Sequence, residues 1–172
     1  MVVSIDARFH GKRKSPERPL SSIMDDLHFF GDKVDYEVMI KDMVLDHQIL
    51  LDWIEQQDNL NNNQITVAGY SMRGQISLIL ASIDKRIKKV ISIVPPIIDD
   101  KTALVVPKNF ISLLKDQQVL FVTADDDENA MEKENDYIYH LIPTSGKERI
   151  QFAGGHILPE NYVDSLIGKF AS

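Results

Sequence analysis

The sequence predicts an α/β fold: a mostly parallel sheet with helices on both faces. Three observations carry this. Short runs rich in β-branched residues recur along the chain, among them Lys89–Val94 (KVISIV) and Gln118–Thr123 (QVLFVT). These runs lack the polar alternation of a sheet with one wet face, so they read as strands buried on both sides. Longer stretches with helical spacing of apolar residues separate them, which is the alternation of a parallel sheet covered by helices.

Taken in order, Met1–Ile5 is a short apolar run and reads as a first strand. Gly11–Gly31 is polar and interrupted by proline, so it reads as a loop with one turn of helix. Between Tyr36 and Gln57 the residues Met39, Ile40, Met43, Val44, Leu50, Leu51 and Ile54 fall on one helical stripe. The cluster Asp58–Gln64 (DNLNNNQ) is a turn. Ile65–Ala68 is a strand, and Met72–Ile83 is a helix with Ile76, Ile79, Leu80 and Ile83 inward. Lys89–Val94 is stopped by Pro95-Pro96, and Asn109–Lys115 is a short helix after Pro107. Gln118–Thr123 is a strand and Ala130–Leu141 a helix. Arg149–Phe152 is a last short strand, and Asn161–Phe170 a last helix with Tyr162, Val163, Leu166, Ile167 and Phe170 on one stripe.

No repeat, low-complexity tract or composition shift divides the chain, and 172 residues at 44% hydrophobic suffice for one sizeable core. The reading is a single domain over residues 1–172. A net charge of −7 argues against nucleic acid, whose phosphates require a basic face. The one basic cluster, Lys12-Arg13-Lys14 with Arg18 nearby, reads as a solvated loop. With no cysteine there is no disulfide, no thiol nucleophile and no cysteine metal site. No apolar run approaches the length of a membrane span. The N-terminus MVVSIDARFHGKR has no basic segment before its apolar run and makes a poor signal peptide. A cytoplasmic location is the expectation that these missing signals leave.

In parallel sheets, binding and chemistry gather at the carboxyl ends of the strands. One predicted strand ends in Gly69-Tyr70-Ser71, another in Asp125-Asp126-Asp127-Glu128 and another in Gly154-Gly155-His156. Each alone has an ordinary explanation. A serine at a strand–helix turn is commonly an N-cap, and an acid run commonly begins a solvated helix. A histidine beside glycines is commonly a turn residue. Together, at ends that one sheet brings close, they match the needs of acyl transfer. A serine hydroxyl needs a base to take its proton. Histidine serves near neutral pH, and a carboxylate on its other nitrogen fixes tautomer and orientation. His10, His28, His47 and His140 lack such partners and read as structural. No His/Asp/Glu set has metal-ligand spacing, and the triple aspartate lacks the glycine-bearing calcium loop pattern. No cofactor or metal is expected.

At these residues the chain resembles the α/β-hydrolase superfamily, and within it the small lidless esterases and the dienelactone-hydrolase-like branch. SIDARFHGKR is similar to the family's strand ending in D-x-x-x-H-G. VAGYSMRG is similar to its nucleophile elbow, and VLFVTADDDENA to its acid strand. FAGGHILPE is similar to the turn that carries the base. The resemblance covers Val2 to Phe170. It implies Ser71 as nucleophile, His156 as general base then acid, and Met72 N–H as an oxyanion donor. It implies Asp127 as orienting carboxylate, with Ala124 in place of the usual glycine of G-x-x-D; Asp125 and Asp126 are the alternates. The implied activity is hydrolysis of a small carboxylic ester through an acyl-enzyme.

Two departures accompany the resemblance. Relatives usually place two or three strands and a helix before a stretch like Met1–Ile5, and one of those strands ends in the His-Gly that introduces a second oxyanion N–H. The sequence starts at that stretch, so the expectation is a fold short of that pattern. The other reading is therefore a degenerate, catalytically weak or inactive hydrolase fold serving as a binding or interaction module. An exposed apolar sheet edge would favour a homodimer. The second departure is Arg73, which stands where the elbow carries its second glycine. Either the strand that the elbow normally packs against is missing, or Arg73 points outward and meets an acid or an anionic substrate. A receiver-like domain would need an acidic pair at the first strand end, and only Asp6 is there.

Overall fold

The structure, a computed structural model, describes residues 1–99 and 103–171, with side chains through residue 169. The chain forms two compact units, Met1–Leu60 with Ile98–Val106, and Asn61–Ile97 with Pro107–Ser172. Among the described residues no helix is long and apolar enough to cross a membrane.

The first unit is helical. Helix α1 (Leu20–Asp25) runs on into a π-helical turn, Asp26–Phe30, which ends at Gly31 with φ 67°. Helix α2 (Val34–Glu55) buries Met39, Ile40, Met43, Val44 and Leu51 of the predicted stripe, and Tyr36 with them, while Leu50 and Ile54 are only partly buried. Arg8 and Arg13 both reach Asp46 on α2, at 3.1 and 2.7 Å, and tether the preceding turn to it. His10 and His47 each donate from Nδ1 to a nearby backbone carbonyl, of Arg8 and Met43, which accounts for them as structural residues.

One expectation fails here. Met1–Ile5 forms no strand. Val2 is 96% exposed, and among the described residues this unit holds no strand for the run to pair with. An apolar, β-branched run favours extended backbone, but only a neighbouring ladder makes it a strand.

The second unit is the sheet. Its strands are β1 (Ile65–Tyr70), β2 (Ile87–Ile93), β3 (Gln118–Ala124) and β4 (Lys147–Phe152). They pair in the order β1-β2-β3-β4, all parallel. Register puts Tyr70, Ile93, Val122 and Ile150 in one row across the sheet. Because side chains alternate along a strand, Ile91, Ile93, Leu120, Val122 and Ala124 share one face. That face is covered by Leu158 and by Leu166 of helix α5 (Tyr162–Ala171). On the opposite face Ser92 Oγ donates to the carbonyl of Gly74 in helix α3 (Met72–Ile83) at 3.0 Å. Beside it, Phe121 stacks on Tyr139 of helix α4 (Glu132–Leu141). The helices therefore lie on both faces of a parallel sheet, as the continuous apolar strands require. The segment predicted as a helix after Pro107 forms two 3₁₀ turns, Pro107–Asn109 and Ile111–Leu113.

Candidate active site

All four strands point the same way, so the residues that follow them share one edge. Ser71 follows β1, Asp127 follows β3 and His156 follows β4. All three belong to the second unit.

Ser71 sits on a tight corner. Its N–H donates to Ile93 O at 2.8 Å, continuing the β1–β2 ladder by one residue, and its carbonyl already accepts from Gly74 and Gln75 of α3. Serving both elements forces φ 57° and ψ −129°, a strained combination for a residue with a side chain. The corner also needs small neighbours. A Cβ on Gly69 would lie 2.1 Å from the Arg73 carbonyl oxygen, and one on Gly74 would lie 3.0 Å from Ile93 O and 3.1 Å from Ser92 Oγ. The close packing thus falls on Gly69 and Gly74. Arg73 is exposed, and among the described residues its guanidinium has no ion pair or hydrogen bond. Arg73 thus points outward without meeting an acid, and β1 is an edge strand of the described sheet, as the missing-neighbour alternative expects. Met72 opens α3, and the N–H of a first helical residue has no acceptor within its helix.

The three side chains meet in sequence. Ser71 Oγ lies 2.8 Å from His156 Nε2, and His156 Nδ1 lies 3.1 Å from each oxygen of Asp127. A carboxylate accepts, so Nδ1 carries the proton and the Nε2 lone pair faces the serine hydroxyl. The Asp127 side chain is 1% exposed and that of His156 15%. Asp127 is held by Asn129 N–H, which donates to Oδ1 at 2.8 Å.

The rest of the acid run grips the histidine turn. Asp125 Oδ1 accepts from Gly154 N–H at 2.8 Å, and Asp126 N–H donates to Gly154 O at 3.0 Å. Glu128 Oε2 accepts from His156 N–H at 2.9 Å. That hydrogen bond, with one from Glu128's own N–H, holds its carboxyl below the usual glutamate range. Of the three candidate aspartates, it is Asp127 that meets the imidazole, while Asp125 ties down its loop. On the other side, Tyr70 Oη donates to His156 O at 2.6 Å and accepts from Leu158 N–H at 3.1 Å. Sequence reasoning did not single out Tyr70 or Glu128. Nothing in residue type or spacing marks a contact between positions 86 apart. His140 donates to the Asp136 carbonyl within α4. Among the described residues no group of three metal-binding side chains is placed to hold an ion.

The chain is similar to known proteins. A family model described as the C-terminal part of BAAT / acyl-CoA thioester hydrolases matches residues 50–132, a span containing Ser71 and Asp127. Among solved structures the chain is similar to acetyl xylan esterase 1 from Thermoanaerobacterium sp. JW/SL YS485, with a TM-score of 0.69 at 17% identity, covering 87% of this chain and 58% of that one. It is similar to a protein assigned as a dienelactone hydrolase from Klebsiella pneumoniae subsp. pneumoniae, with a TM-score of 0.66 at 12% identity, over 77% and 62%. The esterase Pf2001 of Pyrococcus furiosus gives a TM-score of 0.64 at 18% identity, over 76% and 61%. The chain spans about three fifths of the length of these structures. No match is found among curated proteins. At such identities the likeness is one of architecture: the chain has the α/β-hydrolase fold.

Proposed function

We propose that this chain is a serine hydrolase that cleaves a small carboxylic ester through an acyl-enzyme, with Ser71 as nucleophile, His156 as base and acid, and Asp127 as the group that orients His156. The observation that carries the proposal is the unbroken line from Ser71 Oγ through the His156 ring to the buried Asp127 carboxylate. The proximity of Nε2 to Oγ supports proton transfer from the hydroxyl as Oγ attacks the ester carbon. The oxygen of the broken C=O π bond gains a negative charge beside the start of α3, where Met72 N–H is a donor to it. Collapse of that intermediate breaks the bond to the leaving oxygen, which takes the proton from Nε2. A water then repeats the sequence on the acyl-serine: Nε2 takes its proton, the oxygen attacks, and Ser71 leaves with the proton restored. Throughout, Asp127 keeps the Nδ1–H directed at itself and stabilises the imidazolium that forms twice per cycle.

Thioesters form a second substrate class, favoured by the acyl-CoA thioester hydrolase model that matches residues 50–132. The same steps apply with sulfur as the leaving atom. Steady-state hydrolysis of p-nitrophenyl acetate and of acetyl-CoA by the parent and by Ser71→Ala tests both. The expected result is turnover of the oxygen ester that Ser71→Ala abolishes. Turnover of the thioester alone would move the assignment to that class. A folded parent that turns over neither would leave the fold as a binding module.

A further inference from the structure

The backbone of His156 is held at both ends by sequence neighbours of its two partners. Tyr70, which precedes Ser71, donates from Oη to the His156 carbonyl at 2.6 Å. Glu128, which follows Asp127, accepts the His156 N–H at 2.9 Å. The two contacts are unequal. Glu128 is exposed, where water competes and salt screens. Tyr70 is partly buried, with its ring 6.0 Å edge-on from the His156 ring and 5.9 Å from that of Tyr162. Its hydroxyl both donates and accepts, taking Leu158 N–H as well, and Leu158 is buried in the core beneath α5. Tyr70 thus ties the serine corner directly to the loop that carries the imidazole.

We propose that Tyr70 is a positioning residue, whose hydroxyl sets the height of the His156 loop and thereby the alignment of Nε2 on Ser71 Oγ and of Nδ1–H on Asp127. The claim rests on the hydrolase reading for its effect on turnover, but not for its effect on the imidazole. Flanking glycines explain why a fastener is needed. Gly154 has φ 112°, and a Cβ there would meet nothing within 4 Å, while one on Gly155 would meet the exposed Glu128 Oε2 at 3.1 Å, so the turn is held on its acid side mainly by exposed contacts and Tyr70 supplies the part-buried one. A displacement of the ring by a fraction of an ångström weakens both of its hydrogen bonds together.

Tyr70→Phe removes the hydroxyl and keeps the ring. The expected kinetic result is a kcat lowered about tenfold with KM within about twofold, as one lost hydrogen bond acting on the transition state would give. In a His156→Ala background the same change leaves residual turnover unaltered, because there is no imidazole left to align. A second readout needs no turnover: solvent exchange of the His156 Nδ1 proton, followed by ¹H–¹⁵N NMR, is expected to be about tenfold faster in Tyr70→Phe. An unchanged exchange rate in a folded Tyr70→Phe protein overturns the proposal whether or not the parent is active. So does an equal loss of turnover with and without His156, which would make Tyr70 a residue of the general structure. Absence of Ser71-dependent turnover in the parent would instead defeat the hydrolase reading and leave the exchange rate to decide on Tyr70.

Discussion

Both carboxylate oxygens of Asp127 lie 3.1 Å from Nδ1 of His156. The Nδ1 proton faces both oxygens, of which Oδ1 also accepts the Asn129 N–H, so the ring has one favoured tautomer. Asp127→Asn keeps the shape and inverts the chemistry: the amide NH₂ can donate to Nδ1, which drives the proton to Nε2 and removes the acceptor from Ser71. The expected loss in kcat is roughly 10⁴-fold, with the melting temperature close to the parent's. A loss of less than about tenfold in p-nitrophenyl acetate hydrolysis would take the orienting role away from Asp127.

The corner at Ser71 stores strain. With φ 57° and ψ −129°, the residue occupies a region that suits glycine. Ser71→Gly is therefore expected to abolish activity while raising stability by about 1 kcal/mol. Ser71→Ala is expected to abolish activity without that gain, since alanine keeps the Cβ. Urea denaturation of the three proteins checks the order, glycine variant above the other two.

Gly69 is fixed by close approach rather than by its own dihedral angles. A methyl group there lies 2.1 Å from the carbonyl oxygen of Arg73 and 2.3 Å from its carbonyl carbon. Both are backbone atoms, so no side-chain rotation relieves the clash and α3 must shift. Gly69→Ala is expected to cost about 3 kcal/mol, read by chemical denaturation, and to lower activity further by moving Ser71.

Glu128 links acidity to the histidine turn. Its carboxyl is held below the usual range, first by the His156 N–H and then by its own N–H. A depressed folded-state value means that its contribution is complete above the unfolded glutamate value. It is lost as the pH falls through the folded one. The melting temperature of the parent is expected to exceed that of Glu128→Gln above about pH 5, with the difference closing as the solution is acidified further. A difference that widens on acidification contradicts this assignment. The difference is small, because the group is exposed.

Local pattern carried the sheet and its helices further than it carried the chain's first residues. Helix α3 begins and ends where the spacing around Ile76, Ile79 and Leu80 places it. Its start is set by a strand running into a glycine-flanked serine. Strands β2 and β3 are legible because burial on both faces leaves β3 an unbroken apolar run over 119–122 and β2 only Ser92 between apolar residues from Val90 to Ile93. Met1–Ile5 carries similar apolar content, yet pairing depends on a neighbour that composition cannot reveal. Within the candidate site, Ser71, Asp127 and His156 are legible because each is a reactive residue type in the turn that follows a strand. Tyr70 and Glu128 are not, since their part rests on backbone contacts with His156 across 86 and 28 positions. Arg73 was readable as a departure from the elbow pattern. The structure supplies its setting: the tight contacts belong to Gly69 and Gly74, which frees position 73 to be large and exposed.

The central claim is that Ser71 is a nucleophile activated by His156. Its most direct test is a fluorophosphonate probe, read by intact mass and peptide mapping of the parent, Ser71→Ala and His156→Ala. The account predicts one covalent adduct on the parent, located at Ser71, none on Ser71→Ala, and labelling of His156→Ala slowed by roughly 10³-fold or more. A folded parent that takes up no probe, or a Ser71→Ala protein that labels as fast as the parent, would contradict it.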